Sequence, residues 1–121
     1  MPIVRIFGLP TGDGYNSVFF AKLKMDIADA VANIKELNIT NQQVSVFFPT
    51  DLAGSNGRGD ICGFIDFFKD EKIRNLKVRR FMSTAIGELL KDKFRRVNLI
   101  EILPMAYDSE EGGYWSCKRD E

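Results

Sequence analysis

Pro2 is the residue in this chain with the clearest capacity for chemistry. Methionine before a residue as small as proline is the usual substrate of initiator-methionine removal, which leaves proline as a free secondary amine. Residues 2–7 (PIVRIF) read as a strand that begins at that terminus. A sheet would therefore hold the amine in place instead of letting it fray. An amine buried beside other cations is disfavoured in its charged form, and its pKa falls. Such a group can serve as a general base near neutral pH. Arg5, Arg58 and Lys69 are the candidate cations. Lys69 ends an apolar run, a position that commonly faces ligands. Arg5 and Pro2 differ by three, so a strand turns them to opposite faces. Arg5 should then point outward or be paired, because an isolated buried charge is costly. Tyr107 is a candidate to cap the pocket. The expected substrate contacts are Lys69, Arg58 and Tyr107, each with the plainer alternative of surface charge or packing.

The composition narrows the chemistry. The chain has 121 residues and no histidine, with 17 Lys+Arg against 17 Asp+Glu. Ser-His-Asp and Cys-His sites are excluded, as is any His-ligated metal. No cofactor and no metal are expected. Zero net charge argues against a nucleic-acid partner, which needs a basic excess, and against a polybasic membrane anchor. No run approaches the roughly 20 apolar residues of a membrane span. Cys62 and Cys117 form no CxxC, and a reduced, cytoplasmic protein is the expectation. The Gly-rich segment DLAGSNGRGD (51–60) lacks the Lys-Ser/Thr of a phosphate loop, and Asp51 and Asp60 lack calcium-loop spacing. Lys77, Arg79 and Arg80 read as a solvated helix face.

Elements to position these groups follow from periodicity. A helix is predicted from Ser17, as N-cap, to about Leu37, with Phe20, Leu23, Ile27, Val31, Ile34 and Leu37 as its apolar stripe. Residues 43–48 (QVSVFF) read as a second strand, stopped by Pro49. The plan then recurs. Residues 61–68 (ICGFIDFF) are a strand, and a charged turn, Lys69 to Lys72, leads to a helix. The stripe of that helix is Val78, Phe81, Met82, Ala85, Ile86, Leu89 and Leu90. Residues 97–103 (VNLIEIL) are a fourth strand ended by Pro104. Gly112 to Trp115 read as a small terminal strand or hairpin. The fold class is α/β (α+β) in one domain, 1–121, with a pseudo-repeat of 2–48 and 61–103. Two βαβ units would form a four-stranded mixed sheet with both helices on one face. The alternative is the interleaved ferredoxin-like arrangement, as a ligand-binding module.

The strands are apolar on both faces. Val44, Val46 and Phe48 point one way and Phe47 the other; Cys62, Phe64 and Phe68 oppose Ile61, Ile65 and Phe67. Two helices cover one face only. Each phenylalanine left in water forgoes roughly 1.5–3 kcal/mol. Copies of the same chain are the expected cover, and the alternative is a monomer with a partly exposed face or a ligand groove.

The opening MPIVRI followed by an amphipathic helix resembles the tautomerase superfamily, which includes 4-oxalocrotonate tautomerase and macrophage migration inhibitory factor. The run VSVFFPTDL is similar to the second strand and Pro-containing exit of the migration inhibitory factor branch. RNLKVRRFMSTAIGELLKDKF is similar to that branch's second helix, and YDSEEGGYWS to its C-terminal segment. The resemblance implies a trimer of chains with two βαβ units each, and Pro2 as general base for keto–enol proton transfer on a small carbonyl compound. It also implies a cation after the first helix. An ungapped reading back from Pro49 puts Asn38 there, with Lys35 nearby. A non-catalytic interaction protein on the same fold is the other reading.

Overall fold

Ile3–Phe7 alternate partly exposed and buried side chains and form strand β1. In the computed structural model, residues 2–12, 14–50, 60–68, 76–107 and 116–117 are described, with Phe68, Ala106 and Tyr107 described by backbone only. The predicted terminal strand at Gly112 to Trp115 and the turn Lys69 to Lys72 lie outside these residues. Helix α1 spans Ser17–Ala32. Its N-cap is Asn16 and not Ser17: the Asn16 side chain accepts from the Phe19 N–H at 2.9 Å, taking up one of the unpaired donors of the first turn. The helix also stops short of Leu37. A 3-10 turn, Lys35–Leu37, follows it, closed by Asn38 at φ 49°, a left-handed conformation asparagine tolerates. Ile34 and Leu37 nonetheless stay buried, so the apolar stripe is used although the α-helix is broken.

A second 3-10 turn, Asn41–Gln43, is held by a reciprocal pair of bonds between Thr40 and Gln43. It replaces the beginning of the predicted second strand, and β2 is only Ser45–Phe47. Strand β3 is Asp60–Phe68, helix α2 is Leu76–Lys93 and strand β4 is Leu99–Tyr107. Pro104 was expected to end the fourth strand and instead sits inside it. Among the described residues β4 is an edge strand, where one side of the backbone has no ladder partner to lose.

The sheet order is β2-β1-β3-β4. β1 and β2 are parallel neighbours, with Val4 opposite Val46. β1 and β3 are antiparallel, with Val4 opposite Ile65. β3 and β4 are parallel, with Ile65 opposite Pro104. No strand lies between β1 and β2, so the ferredoxin-like alternative is excluded. The fold is two βαβ units joined side by side. Because directly opposed residues share a face, Val4, Ile6, Ile61, Ile65 and Phe67 form one buried layer. Leu23, Ile27 and Val31 of α1 and Met82, Ile86 and Leu90 of α2 complete that core. Phe81, predicted to join the stripe, is 40% exposed, with the Lys77 ammonium 5.5 Å from its ring centre.

Gly8 ends β1 at φ +82°, and a Cβ there would collide with the Asp60 carbonyl oxygen. Gly8→Ala combines left-handed strain of roughly 1–2 kcal/mol with a contact to rigid backbone. A loss of about 2–4 kcal/mol is expected, read as a Tm lowered by several degrees. An unchanged Tm would show that the β1–β3 junction relaxes freely.

Candidate active site

Pro2 is buried at the start of β1. Its carbonyl accepts the Ser45 N–H at 3.0 Å, which ties the terminus to β2. The antiparallel register puts Ile3 opposite Asp66 and, continued by one residue, Pro2 opposite Phe67. Phe67 is in turn opposite Ala106. Pro2 shares parity with Val4 and therefore lies on the helix-covered side of the sheet. Arg5 is on the other side, as the spacing of three requires.

Strand direction decides what else reaches this end. α1 leads into β2, whose first residue, Ser45, pairs beside Pro2, so the C-terminal end of α1 and exposed Lys35 are at the Pro2 end. β3 and β4 both finish there, at Phe68 and Tyr107. α2 links two parallel strands and so begins at this end. Tyr107 thus belongs to the Pro2 end by backbone register, two strands from β1. Lys69 lies outside the described residues, although its neighbour Phe68 closes β3 at the same end. Arg58 also lies outside them.

Arg5 is paired, as expected. Its guanidinium donates to Asp66 Oδ2 at 2.9 Å and sits 5.3 Å from the Phe64 ring centre. Asp66 is only 8% exposed and was not singled out in sequence. Its signal was there: one carboxylate in an apolar run, with the parity that turns it to the Arg5 side. The surroundings of this pair are apolar and uncovered. Phe7, Phe47, Leu99, Leu103 and Met105 are all exposed on that face, Phe47 by 51%. The expected second apolar face is therefore real.

Cys62 is on the same face, with Glu101 opposite it on β4 and Phe7 on β1. Partial burial, and then the Glu101 carboxylate, push its thiol pKa up. Less thiolate is present at a given pH, and the thiolate is the nucleophile. Iodoacetamide at pH 8 should therefore label exposed Cys117 well before Cys62. Equal rates by peptide mass spectrometry would contradict this electrostatic reading.

The charged run on α2 is not uniform. Lys77 and Arg80 are exposed, but Arg79 is half-buried, and its Nε is out of solvent without a hydrogen-bond partner among the described residues. The reading of all three as a solvated face is corrected for Arg79.

No protein-family model matches the chain, and no curated protein does. Solved structures do match. A wild-type fused 4-OT described as an asymmetric trimer aligns with a TM-score of 0.67 at 9% identity, over 89% of this chain and 88% of that one. Macrophage migration inhibitory factor of Toxoplasma gondii aligns at 0.60 and 18%, over 95% of both chains. A protein of unknown function from Vibrio cholerae aligns at 0.68 and 8%, over 95% of this chain and 83% of the other.

Proposed function

We propose that this chain, whose fold is that of the tautomerase superfamily, catalyses keto–enol proton transfer on a small carbonyl compound with Pro2 as general base. The observation that carries the reading is the placement of Pro2. It is buried, bonded through its carbonyl to β2, and at the end of the sheet where α1, β3 and β4 finish and α2 begins.

With Met1 removed, the Pro2 nitrogen takes a proton from the carbon next to the carbonyl. The C–H electron pair moves into the new C=C bond and the carbonyl pair onto oxygen. A cation or backbone N–H holds that oxyanion, and the proton returns at a different position. The chain has no histidine, so its own terminus supplies the base. Lys69, Arg58 and Tyr107 are the proposed substrate contacts.

The single domain acts as a homotrimer, in the cytoplasm, without a nucleic-acid or membrane partner. Two observations support the trimer: the uncovered apolar face, and the similarity to fused 4-OT structures described as trimers. Among the described residues no helix is long and apolar enough to cross a membrane.

Intact-mass measurement tests the premise. A mass lacking methionine is expected, and a retained Met1 blocks the amine and ends the mechanism. Turnover of phenylpyruvate enol by wild type and by Pro2→Ala then tests the base itself. Equal turnover would leave the fold to a non-catalytic interaction role.

A further inference from the structure

The charged side chains of the four strands are Arg5, Asp60, Asp66 and Glu101. Strand parity turns all of them to the uncovered face. Arg5 is the single cation among them. Asp66 holds it at one nitrogen, Nη2, and the Arg5 side chain stays 40% exposed. Asp60, at the start of β3, is engaged in an interaction of its own. Glu101, by contrast, is exposed and has no hydrogen bond or ion pair among the described residues. Its neighbours along β4 are Leu99 and Leu103, both exposed, and Cys62 lies opposite it on β3.

On an isolated chain such a carboxylate is hydrated. Covering the face with copies of the chain removes that water, and an unpaired buried charge is costly. Packed copies must therefore bring a cation to Glu101, and Arg5 is the cation this face offers. The same chain's Arg5 is turned away from it. Its guanidinium is drawn to Asp66, one row toward the Pro2 end. Glu101 lies one row the other way and two strands across, about 10 Å. A guanidinium carries five N–H donors in a planar fork. With one nitrogen on its own Asp66, Arg5 keeps donors for a second carboxylate.

Sheet order fixes the kind of contact that joins them. Glu101 is on β4, at one edge of the described sheet, and Arg5 is on β1, one strand in from β2 at the other edge. The two belong to different patches, so the β4 side of one copy meets the β1–β2 side of the next. Such a head-to-tail contact closes into a ring when its rotation does, and every patch is then used once. We propose that the Glu101 carboxylate of each copy binds the Arg5 guanidinium of the next, which bridges its own Asp66 and Glu101 of the partner subunit. A closed ring of three leaves none of Arg5, Asp66 and Glu101 without a partner. The pairing rests on self-association through the uncovered face and names the polar contact that sets the order of the copies.

The test uses the full chain. Glu101→Gln should raise the concentration at which trimers half dissociate by roughly ten- to a hundredfold, the range of a lost charged hydrogen bond. Glu101→Lys sets like charges together and should be monomeric at micromolar concentration. Both should keep the circular dichroism of wild type, because Glu101 is exposed on the single chain. Arg5→Lys supplies the positional test. It keeps a cation for Asp66 and gives a carbodiimide an amine to join to any carboxylate in contact. Ordinary and heavy-isotope-labelled Arg5→Lys chains are combined, and native mass spectra establish that the trimers are mixed. The expected cross-linked peptide joins position 5 of one isotope to Glu101 of the other, whereas links from position 5 to Asp66 stay within one isotope. Mixed trimers that lack the cross-isotope peptide overturn the pairing. So does a Glu101→Lys variant as trimeric as wild type. If Arg5→Lys does not assemble, the two Glu101 variants decide. A monomeric wild type fails earlier, at self-association itself, and overturns both readings.

Discussion

Pro2→Ala is expected to lower kcat/KM on phenylpyruvate enol by about a hundredfold or more, within the range for a positioned general base. The variant keeps an α-amine, so the loss reports position and not the mere presence of nitrogen. Proline's ring fixes φ and holds the nitrogen at the head of β1, where the carbonyl is already bound by the Ser45 N–H. Alanine frees that torsion and removes ring carbons from a buried site. A variant that retains Met1 converts the amine to an amide and should lose activity entirely. Fold is the necessary control. Alanine keeps the backbone carbonyl that accepts the Ser45 N–H, so melting and sedimentation should change little. Loss of activity together with loss of assembly would point to a structural role instead.

Leu103→Asp is expected to have the largest effect on assembly. Leu103 is on β4, opposite Phe64, and 42% exposed on the uncovered face. In an isolated chain a carboxylate there faces water and costs little. Between packed copies it would be buried among Phe7, Phe47, Phe64 and Met105, on a face whose Arg5 guanidinium is already held by Asp66, at a cost of several kcal/mol. Three copies multiply that cost. Sedimentation equilibrium at micromolar concentration should show a trimer for wild type and a monomer for the variant, with similar circular dichroism. A monomeric wild type would sink the self-association reading. A trimeric Leu103→Asp would show that assembly uses a different surface.

Much of the fold was legible before the structure. Apolar residues at three- and four-residue spacing located both helices, and parity in the strands separated Ile61, Ile65 and Phe67 from Cys62 and Phe64. The errors fell where local signals compete. Asn16 outcompeted Ser17 as cap because its side-chain oxygen, Oδ1, accepts the Phe19 N–H. Ile34 and Leu37 kept the helical rhythm while the backbone left the helix, since burial needs a side chain in place and not a particular hydrogen bond. Pro104 reads as a terminator only to someone who does not know that its strand is an edge.

The site divides in the same way. Pro2 and the lack of histidine are facts of composition and order. So is the opposite facing of Pro2 and Arg5, because a strand has a period of two. Tertiary structure decided which distant residues meet these groups. It set β1 beside both β2 and β3, paired Arg5 with Asp66 across 61 positions, and laid one flank of α2 on β4 so that Arg79 is half-buried. Those outcomes depend on contacts between segments far apart in the chain, and such contacts leave no periodic trace in either segment.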